Sequence, residues 1–573
     1  MVRSQAEFAE RAGKRLRVVA VLFVVAAVAV TIRLVTLQGV EAEHYDQLAA
    51  DQQVRAVEIP APRGRILDRR GNPLAVSVET ASVFANPREM QAAGETARAA
   101  TLLSGILGVD AATLDQRFAK DLGFVWVARK ISDDQENSVR NLTLPGVYFV
   151  DEPDRVYPSG ALGASIVGFT DIDNKGLAGL EAAYDETLTG EPGKILSEKD
   201  PAGRAIPAGQ YEHVAAQAGS ELTLTIESAI QHEAETALAD AMEQFNAKRG
   251  VVAVLDPANG DVLAFANMPT YDPNNPGAAD ADARAPWGVG NVFEPGSTSK
   301  IVTISAALEA GVVTPGTVQT VPDTITIYDK TFRDSSEHAT AAWSTRDIIA
   351  KSSNVGTIMT ARLLGEDKLD EYMQRFGYGR KTGIELPAES SGIVRDRADW
   401  SGTDLGALAI GHSVAVTPMQ MLRAFGAIAN DGEMHEPRIV KSITESGNEQ
   451  AAPRPEPTRV ISAETAEMMQ DMLRGVVSEG GTATRAAIDG YDVAGKTGTA
   501  RKLLENGRGY DASRHIGSFI GFAPATDPAA VIAVVLDEPK PAYGGLSAAP
   551  TFARVMEFVL RHLRVPPSEQ AIR

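Results

Sequence analysis

The sequence contains no cysteine, which excludes disulfide bonds, thiolate metal sites and a cysteine nucleophile. It also has few basic residues relative to acidic ones: there are 55 lysines and arginines and 75 aspartates and glutamates, which gives a formal net charge of −20. A nucleic-acid partner is therefore not expected, because binding phosphates requires a basic surface. The sequence has no Gly-rich phosphate loop and no metal-ligand spacing among its eight histidines, so we expect no metal and no cofactor.

Long apolar runs are scarce as well, and only one reaches the length of a membrane span. Residues 18–37 are almost entirely apolar, and about 20 residues suffice for a helix to cross a bilayer. Basic residues before this run predict that residues 1–17 lie in the cytoplasm and the remainder outside. A cleaved signal peptide is the alternative, but its small-residue pattern, Ala27-Val28-Ala29, falls inside the run rather than after it. We therefore expect an uncleaved, single-pass anchor in the cytoplasmic membrane.

The remaining chain is too long for one hydrophobic core, since the whole sequence has 573 residues. Residues 38–215 mix short strand-like pieces with frequent Gly and Pro, and they predict an elongated mixed module with a helical insertion at residues 88–121. Residues 216–565 form a second domain and residues 566–573 a short tail. In the second domain we predict strands at residues 222–226, 251–255, 262–266, 518–522 and 531–536, with a helix at residues 228–246. A sheet built from both ends of the domain, with helices between, indicates an α+β fold.

The most informative motif is Ser297-Thr298-Ser299-Lys300. It opens a predicted helix over residues 301–310, so Ser297 and Lys300 share one helix face. A serine hydroxyl is a poor nucleophile until a neighbour accepts its proton, and a lysine can do so when burial or a second cation lowers its pKa. Taken alone, the motif also fits a helix cap beside a solvated lysine. Ser-x-x-Lys occurs only once in the chain, which favours the catalytic interpretation.

A second motif, Ser352-Ser353-Asn354, lies between two apolar segments, where we predict a junction of two helices against the core. A buried helix cap is the plainer interpretation. In the functional interpretation, the Ser352 hydroxyl relays a proton and the Asn354 amide holds the peptide group of a substrate.

The third motif is Lys496-Thr497-Gly498-Thr499. It continues a strand-like segment and precedes two apolar strands, so we place it on a sheet, where an extended peptide can pair with it. There Lys496 can meet a terminal carboxylate, and Gly498 permits a ligand to approach closely. The backbone N–H of Thr499 can join that of Ser297 in an oxyanion hole.

Two further segments imitate these motifs. Ser446-Gly447-Asn448 lies in a polar turn that we predict to be exposed, and Lys381-Thr382-Gly383 lies in a Gly-rich stretch where Lys381 is expected to be a loop cation. A Ser-His-Asp triad is a separate alternative, because His412 and His515 are present, although neither has a distinguishing context.

The three motifs, in this order, resemble those of the penicillin-binding transpeptidases and the serine β-lactamases. Their surroundings are similar to class B penicillin-binding proteins: Phe293-Glu294-Pro295-Gly296 before the first motif matches the nucleophile segment, and residues 63–72 match the signature of the N-terminal pedestal, or dimerisation, module. Further landmarks are Gly179-Leu180-Glu181, Leu188-Thr189-Gly190, Thr417-Pro418-Met419-Gln420, Tyr543-Gly544-Gly545 and Ala549-Pro550. The resemblance covers nearly everything after residue 40.

The resemblance implies a transpeptidase domain with a central antiparallel sheet and helices, which cross-links peptidoglycan outside the membrane. Ser297 would attack a stem peptide ending in D-Ala-D-Ala, D-Ala would leave, and an amine of a neighbouring stem would resolve the acyl-enzyme. The catalytic residues it implies are Ser297, Lys300, Ser352 and Asn354, and the substrate-binding residues are Lys496, Thr497, Gly498 and Thr499.

The resemblance also implies partners. Class B members lack a glycosyltransferase and depend on a polytopic polymerase of the FtsW type, with other divisome proteins, and they bind β-lactam antibiotics. The length, the short cytoplasmic tail and the lack of appended repeats look most like the septal, FtsI-like branch. The alternatives are an elongation-type class B transpeptidase, a membrane-anchored β-lactamase or a β-lactam sensor. A convincing Glu-x-x-x-Asn carboxylate is missing for the β-lactamase, and the 17 residues before the anchor are few for a signalling domain.

Overall fold

The computed structural model divides the chain into two units, and it describes residues 2–42, 54–198, 211–504 and 509–568. The first unit consists of Met1–Ala61 with Glu191–Gln217, and the second of Pro62–Gly190 with Ala218–Arg573.

The first unit begins with helix Val2–Val35, which continues into the π-helical turn Thr36–Val40. Within it, the segment Gly13–Gly39 has a mean hydropathy of 2.8, and it is long and apolar enough to cross a membrane. Among the described residues it is the one helix with these properties, which agrees with the single anchor predicted at residues 18–37. The same unit contains a three-stranded antiparallel sheet, in the order Val54–Ile59, Gly193–Glu198 and Tyr211–Val214.

The second unit starts with a mixed module that contains the predicted helical insertion. Its strands are Ile66–Leu67, Pro73–Ala85, Val125–Ile131 and Val147–Val156, and its helices are Pro87–Ala93, Thr96–Leu107, Ala111–Phe118, Asp133–Asn141, Ala164–Val167, Gly179–Ala183 and Asp185–Leu188. Three of these helices fall within or beside residues 88–121, as predicted. They enclose a small core of their own, in which Leu103, Leu114 and Phe118 are fully buried.

Buried ion pairs tie the landmarks of this module together. Glu181 is fully buried, and its carboxylate binds the Nε atoms of Arg63 at 2.5 Å and of Arg155 at 2.7 Å. Asp68 in turn accepts hydrogen bonds from the side chains of Asn72, at 2.8 Å, and Ser228, at 2.6 Å. These arginine and acidic residues therefore join segments of the fold that are far apart in sequence.

Five antiparallel strands form the central sheet of the second domain. Their spatial order is Val262–Met268, Arg249–Leu255, Ala530–Asp537, Tyr510–Ala523 and Ala494–Leu503. The strands come from both ends of the domain, as predicted, and the architecture is α+β. Every residue of Ala530–Asp537 is buried, which requires cover on both faces of the sheet. Strand Ala494–Leu503 lies at the edge, and no other strand of the described chain pairs with its outer side.

Helices supply that cover. The main ones are Ser228–Gln244, Lys300–Glu309, Thr345–Ala350, Asn354–Leu364, Glu366–Arg375, Asp404–Ala409, Pro418–Ala429, Ala463–Val477 and Ala549–His562; shorter ones are Trp287–Gly290 and Gly544–Ser547. The Thr417-Pro418-Met419-Gln420 landmark begins one of them with a capping box, in which Thr417 accepts from the Gln420 N–H. Helix Lys300–Glu309 is buried on all sides over its first nine residues, so it lies in the interior of the domain.

The strand predicted at residues 222–226 is present, but its placement in the central sheet is wrong. It spans Glu221–Leu224 and does not join the central sheet. Instead it pairs in parallel with Ile66–Leu67 and antiparallel with Val440–Glu445, in a seven-stranded sheet shared with the N-terminal module. Its alternation of side chains is the same in either sheet, so sequence alone could not select the partner. The remaining strands of the domain are Asn448–Ala451, Val318–Val321, Thr324–Ile327, Lys330–Arg333, Ala341–Ser344, Glu433–Met434 and Thr458–Arg459.

Candidate active site

Ser297 lies in a 3₁₀ turn, Gly296–Ser299, that leads directly into the buried helix. Gly296 adopts a left-handed conformation, with φ of 53°, and its N–H donates to the carbonyl of Gly411 at 3.0 Å. A Cβ atom on Gly296 would lie 3.3 Å from the Thr499 carbonyl oxygen, so the turn is packed closely against the edge strand. The nucleophile segment and the third motif are therefore neighbours.

The two serines of the first motif have different surroundings. Ser299 is buried, and its Oγ lies 2.9 Å from the hydroxyl of Tyr378, which is also buried. Ser297 is partly exposed and lines a cleft of about 340 Å³. Only Ser297 of this pair can meet a substrate in the cleft.

The cleft brings the three predicted motifs together. Of the predicted site residues, Ser297, Ser352, Asn354, Thr497 and Thr499 line it, and Lys300 and Lys496 are fully buried beside them. It is also lined by Ser335, Ser336, His412, Thr482, Tyr543, Gly544, Gly545 and Leu546.

The hydroxyl of Ser352 joins the motifs chemically. Lys496 Nζ donates to Ser352 Oγ at 2.8 Å, and Lys300 Nζ lies 3.3 Å from the same oxygen and 2.6 Å from the Ser352 carbonyl oxygen. One side-chain oxygen thus contacts the amines of two lysines from distant parts of the chain. A proton can pass between these groups without a change of backbone conformation.

Backbone geometry places Ser352 at this point. It sits between helices Thr345–Ala350 and Asn354–Leu364, with a positive φ of 58°, a conformation that non-glycine residues adopt uncommonly. The helix cap is the next residue, because Ser353 Oγ accepts from the Gly356 N–H at 2.9 Å. Ser352 is therefore not the buried cap of the plainer interpretation, and its side chain is left for the lysines.

Burial controls the protonation of both lysines. It lowers the pKa of Lys300 to about 7, against an opposing influence from the Asp334 carboxylate. Burial first, and then the charge of Lys300, lower the pKa of Lys496 well below its ordinary value. Two ammonium charges this close are costly in the interior, so one of the lysines gives up its proton readily near neutral pH.

Asp334 is the site residue that the sequence analysis missed. Its carboxylate accepts from Ser353 Oγ at 2.7 Å, from the Val355 N–H at 2.9 Å and from His338 Nε2 at 3.0 Å. It thus holds the first turn of the helix that carries Asn354, whose side-chain amide donates to the Arg333 carbonyl at 2.8 Å. Asp334 lies in a polar stretch with no fixed spacing from the three motifs, so no sequence signal distinguished it.

Gly498 is packed closely by other parts of the protein. A Cβ atom there would lie 2.3 Å from Ser518 Oγ and 3.0 Å from both the Pro295 carbonyl oxygen and Thr298 Cγ2. The nucleophile segment and a neighbouring strand therefore approach Gly498 closely. Beside it, the Gly544 N–H donates to Thr499 Oγ1 at 3.3 Å, and Thr482 and Thr497 share a hydrogen bond of 2.8 Å.

Both imitations of the motifs lie where their local sequence predicted. Lys381 is exposed in a loop without regular structure, and residues 446–448 form an exposed turn of the hairpin between Val440–Glu445 and Asn448–Ala451.

His412 has a more specific context than the sequence suggested. It lines the same cleft as Ser297, and its Nδ1 lies 2.9 Å from a carboxylate oxygen of Glu294. Within the described residues no hydrogen bond joins His412 to Ser297, so a Ser-His-acid triad is not assembled. His515 lies in strand Tyr510–Ala523, opposite Arg501, and is not part of this cleft.

Two family models match this chain. A family model of the penicillin-binding protein transpeptidase domain matches residues 250–557, and one of the penicillin-binding protein dimerisation domain matches residues 58–224.

Individual relatives match over most of their length. The probable peptidoglycan D,D-transpeptidase PenA of Neisseria gonorrhoeae is 34% identical over 540 residues, covering 93% of this chain and 90% of the relative. Peptidoglycan D,D-transpeptidase FtsI of Escherichia coli is 32% identical over 523 residues, covering 90% and 86%. Among solved structures, penicillin-binding protein 3 of Mycobacterium tuberculosis, complexed with ampicillin, superposes with a TM-score of 0.71 at 30% identity, covering 90% of this chain and 98% of that one.

The fold and the site define a serine acyltransferase, and the transpeptidase match covers more than half of the chain. The chain therefore belongs to the penicillin-binding protein transpeptidase family, in its class B, and is a peptidoglycan D,D-transpeptidase.

We expect the acylation rate to depend on the protonation of Lys300. Only the neutral amine can accept the serine proton, and burial lowers its pKa to about 7. The second-order rate of acylation by a fluorescent penicillin should therefore fall as the pH drops below neutrality and level off above it. Asp334→Asn removes the carboxylate that raises this pKa, so the fall in acylation rate should occur at lower pH than in the unmodified protein. If the fall occurs at the same or a higher pH in a variant whose melting temperature shows it to be folded, the assignment of Lys300 as the base is contradicted.

The two Lys-Thr-Gly segments should respond differently to substitution. Lys496→Ala removes the amine that donates to Ser352 Oγ at 2.8 Å, and losing one such electrostatic contact costs about 10²–10³ in rate. Lys381→Ala is the matched control, because an exposed loop change alters stability by less than about 0.5 kcal/mol and should leave acylation unchanged. Equal losses of acylation rate in the two variants would show that the third motif has been assigned to the wrong segment.

Proposed function

We propose that Ser297 is the residue acylated by the donor stem peptide, with Lys300, Ser352 and Asn354 as catalytic residues and Lys496, Thr497, Gly498 and Thr499 as the substrate-binding segment. The observation that carries this proposal is the placement of Ser352 Oγ between the amines of Lys300 and Lys496, in the cleft that Ser297 lines. Gly498 contributes through packing of the strand, which leaves substrate contact to its neighbours.

The first half-reaction forms an ester. Neutral Lys300 takes the Ser297 hydroxyl proton as Oγ attacks the penultimate D-Ala carbonyl. The bond to the terminal D-Ala then breaks, and the leaving nitrogen receives a proton that Ser352 relays from the two lysines. The developing oxyanion is stabilised by the backbone N–H groups of Ser297 and Thr499.

Strand Ala494–Leu503 fits an extended peptide ligand. Its free edge offers backbone groups for pairing with the donor stem. A terminal carboxylate bound there would favour the ammonium form of Lys496 and could accept hydrogen bonds from the hydroxyls of Thr497 and Thr499. In the second half-reaction an amine of a neighbouring stem attacks the ester carbonyl, Ser297 is released, and the cross-link is formed.

The same site is proposed as a penicillin target. A β-lactam presents a strained amide in place of the D-Ala-D-Ala bond, and the structure of a relative in complex with ampicillin supports this assignment. Hydrolysis of the adduct should be slow, because the site is built for an amine and no carboxylate in the cleft-lining set is placed to activate water.

We further propose that residues 1–17 are cytoplasmic, residues 18–37 span the membrane, and both the pedestal at residues 38–215 and the transpeptidase domain at residues 216–565 lie outside, followed by the tail at residues 566–573. The basic residues before the apolar helix support this orientation.

Labelling by penicillin tests the nucleophile. Ser297→Ala should abolish the covalent adduct, because it removes the attacking oxygen. Ser299→Ala is the matched control: it loses a buried hydrogen bond to Tyr378, worth about 1 kcal/mol of stability, and should keep the adduct. Mass spectrometry of the intact protein measures both. Rapid turnover of penicillin without a trapped adduct would instead indicate a β-lactamase, and labelling of Ser297→Ala would exclude Ser297.

We propose a septal role, in cell division, with a polytopic glycosyltransferase of the FtsW type and other divisome proteins as partners. The match to FtsI of Escherichia coli supports this assignment. The alternative is an elongation-type enzyme. A fluorescent fusion should concentrate at the division site, and depletion should give cells that elongate without dividing. Depletion that yields rounded cells, with the fusion spread along the side wall, would favour the elongation role.

A further inference from the structure

A second polar cluster, separate from the lysines, reaches the active-site cleft through His412. The side chain of Glu294, 10% exposed, accepts three hydrogen bonds of 2.9 Å: Oε2 from Nδ1 of His412, and Oε1 from the Ser413 N–H and the Tyr510 hydroxyl. The rings of His412 and Tyr510 also meet edge to face, with 6.0 Å between their centroids. Glu294 precedes the nucleophile turn, and Tyr510 begins a strand of the central sheet, so the cluster is attached to rigid elements.

This arrangement selects one tautomer of His412. A carboxylate can only accept a hydrogen bond, so the proton of the neutral imidazole lies on Nδ1 and the lone pair on Nε2. The His412 side chain is 30% exposed and lines the cleft, which leaves Nε2 accessible to a bound molecule. Tyr510 stays protonated as a donor, because burial first, and then the charge of Glu294, raise its pKa.

We propose that His412 is the base that accepts a proton from the acceptor amine in the second half-reaction, with Glu294 as its positioning residue. This inference rests on the proposed function of Ser297. An aliphatic amine is an ammonium ion near neutral pH and cannot attack an ester until it loses a proton. An imidazole whose Nε2 carries a lone pair can remove it.

The protons balance in this scheme. The acceptor ammonium gives one proton to Nε2 of His412, and its freed lone pair forms the new C–N bond. The C–O bond to Ser297 then breaks, and the second proton of the attacking nitrogen passes through Ser352 and the lysines to Ser297 Oγ. The imidazolium beside Glu294 finally releases its proton to water.

The first half-reaction has no need of this histidine. Ser352 Oγ and the amines of Lys300 and Lys496 already form a connected set, and no hydrogen bond joins His412 to Ser297 in the part of the chain that the structure describes. The charged and titratable groups around His412 are Glu294 and Tyr510, with Arg395 acting on Tyr510. The ionised Glu294 stabilises the imidazolium once it forms.

The test separates formation of the acyl-enzyme from its resolution. Full-length protein in detergent is acylated by a thioester analogue of the donor, with a D-amino acid as the acceptor. In His412→Asn the amide can still donate to Glu294, but the base is lost. Aminolysis should fall by about 10²-fold or more, the contribution expected of a general base, while the acyl-enzyme still forms and is diverted to hydrolysis. His515→Asn is the matched control, because His515 lies outside the cleft, and should change neither step.

Two further readouts distinguish a base from a structural residue. Trifluoroethylamine, a weak base that is largely neutral at pH 7, should restore aminolysis in His412→Asn because it needs no deprotonation. In Glu294→Gln the side chain can donate as well as accept a hydrogen bond, so it no longer fixes the His412 proton on Nδ1, and aminolysis should fall more than acylation.

Equal losses of acylation and aminolysis in His412→Asn, or aminolysis that the neutral amine does not restore, would overturn the proposal. A failure of the proposed function is recognised separately, because Ser297→Ala would then still be labelled by penicillin.

Discussion

This active site depends on one constraint: the amines of two buried lysines must contact the same serine hydroxyl. Lys300 and Lys496 are both fully buried and both contact Ser352 Oγ. Burial lowers the pKa of both lysines, and the charge of Lys300 lowers the pKa of Lys496 further, which makes an amine able to act as a base near neutral pH. Lys381 begins the same tripeptide but lies exposed in a loop.

The fold meets this constraint by bringing three rigid elements together. Lys300 begins a helix that is buried on all sides, Lys496 lies on the edge strand of the central sheet, and Ser352 occupies a strained junction between two helices. Close packing holds these elements in place. A Cβ atom on Gly498 would lie 2.3 Å from Ser518 Oγ and 3.0 Å from the Pro295 carbonyl oxygen, so a side chain there would displace its neighbours. Away from the site, the buried carboxylate of Glu181 joins Arg63 to Arg155 and so orders the N-terminal module; removing one partner of such a cluster leaves a buried charge unpaired.

Several elements of the fold could be predicted from short-range sequence patterns. The apolar anchor, the helix after Ser297 and the strands predicted at residues 251–255 and 262–266 each depend on residue types within a single segment. The two imitations of the motifs could be set aside for the same reason, because their polar neighbours predict exposed turns and loops. The prediction failed where a choice among distant partners was needed, as for strand Glu221–Leu224, whose alternation fits either of two sheets.

The sequence by itself determined the chemical groups of the site and their order along the chain, because residue type and local context carry that information. Only the tertiary structure decided which further groups join them. Asp334 accepts a hydrogen bond from the helix of Asn354, 21 positions along the chain, and Glu294 contacts His412, 118 positions along. No short sequence pattern covers such separations. The pKa of Lys300 was likewise decided by burial, which is a property of the packed interior and not of the four residues in which the lysine is found.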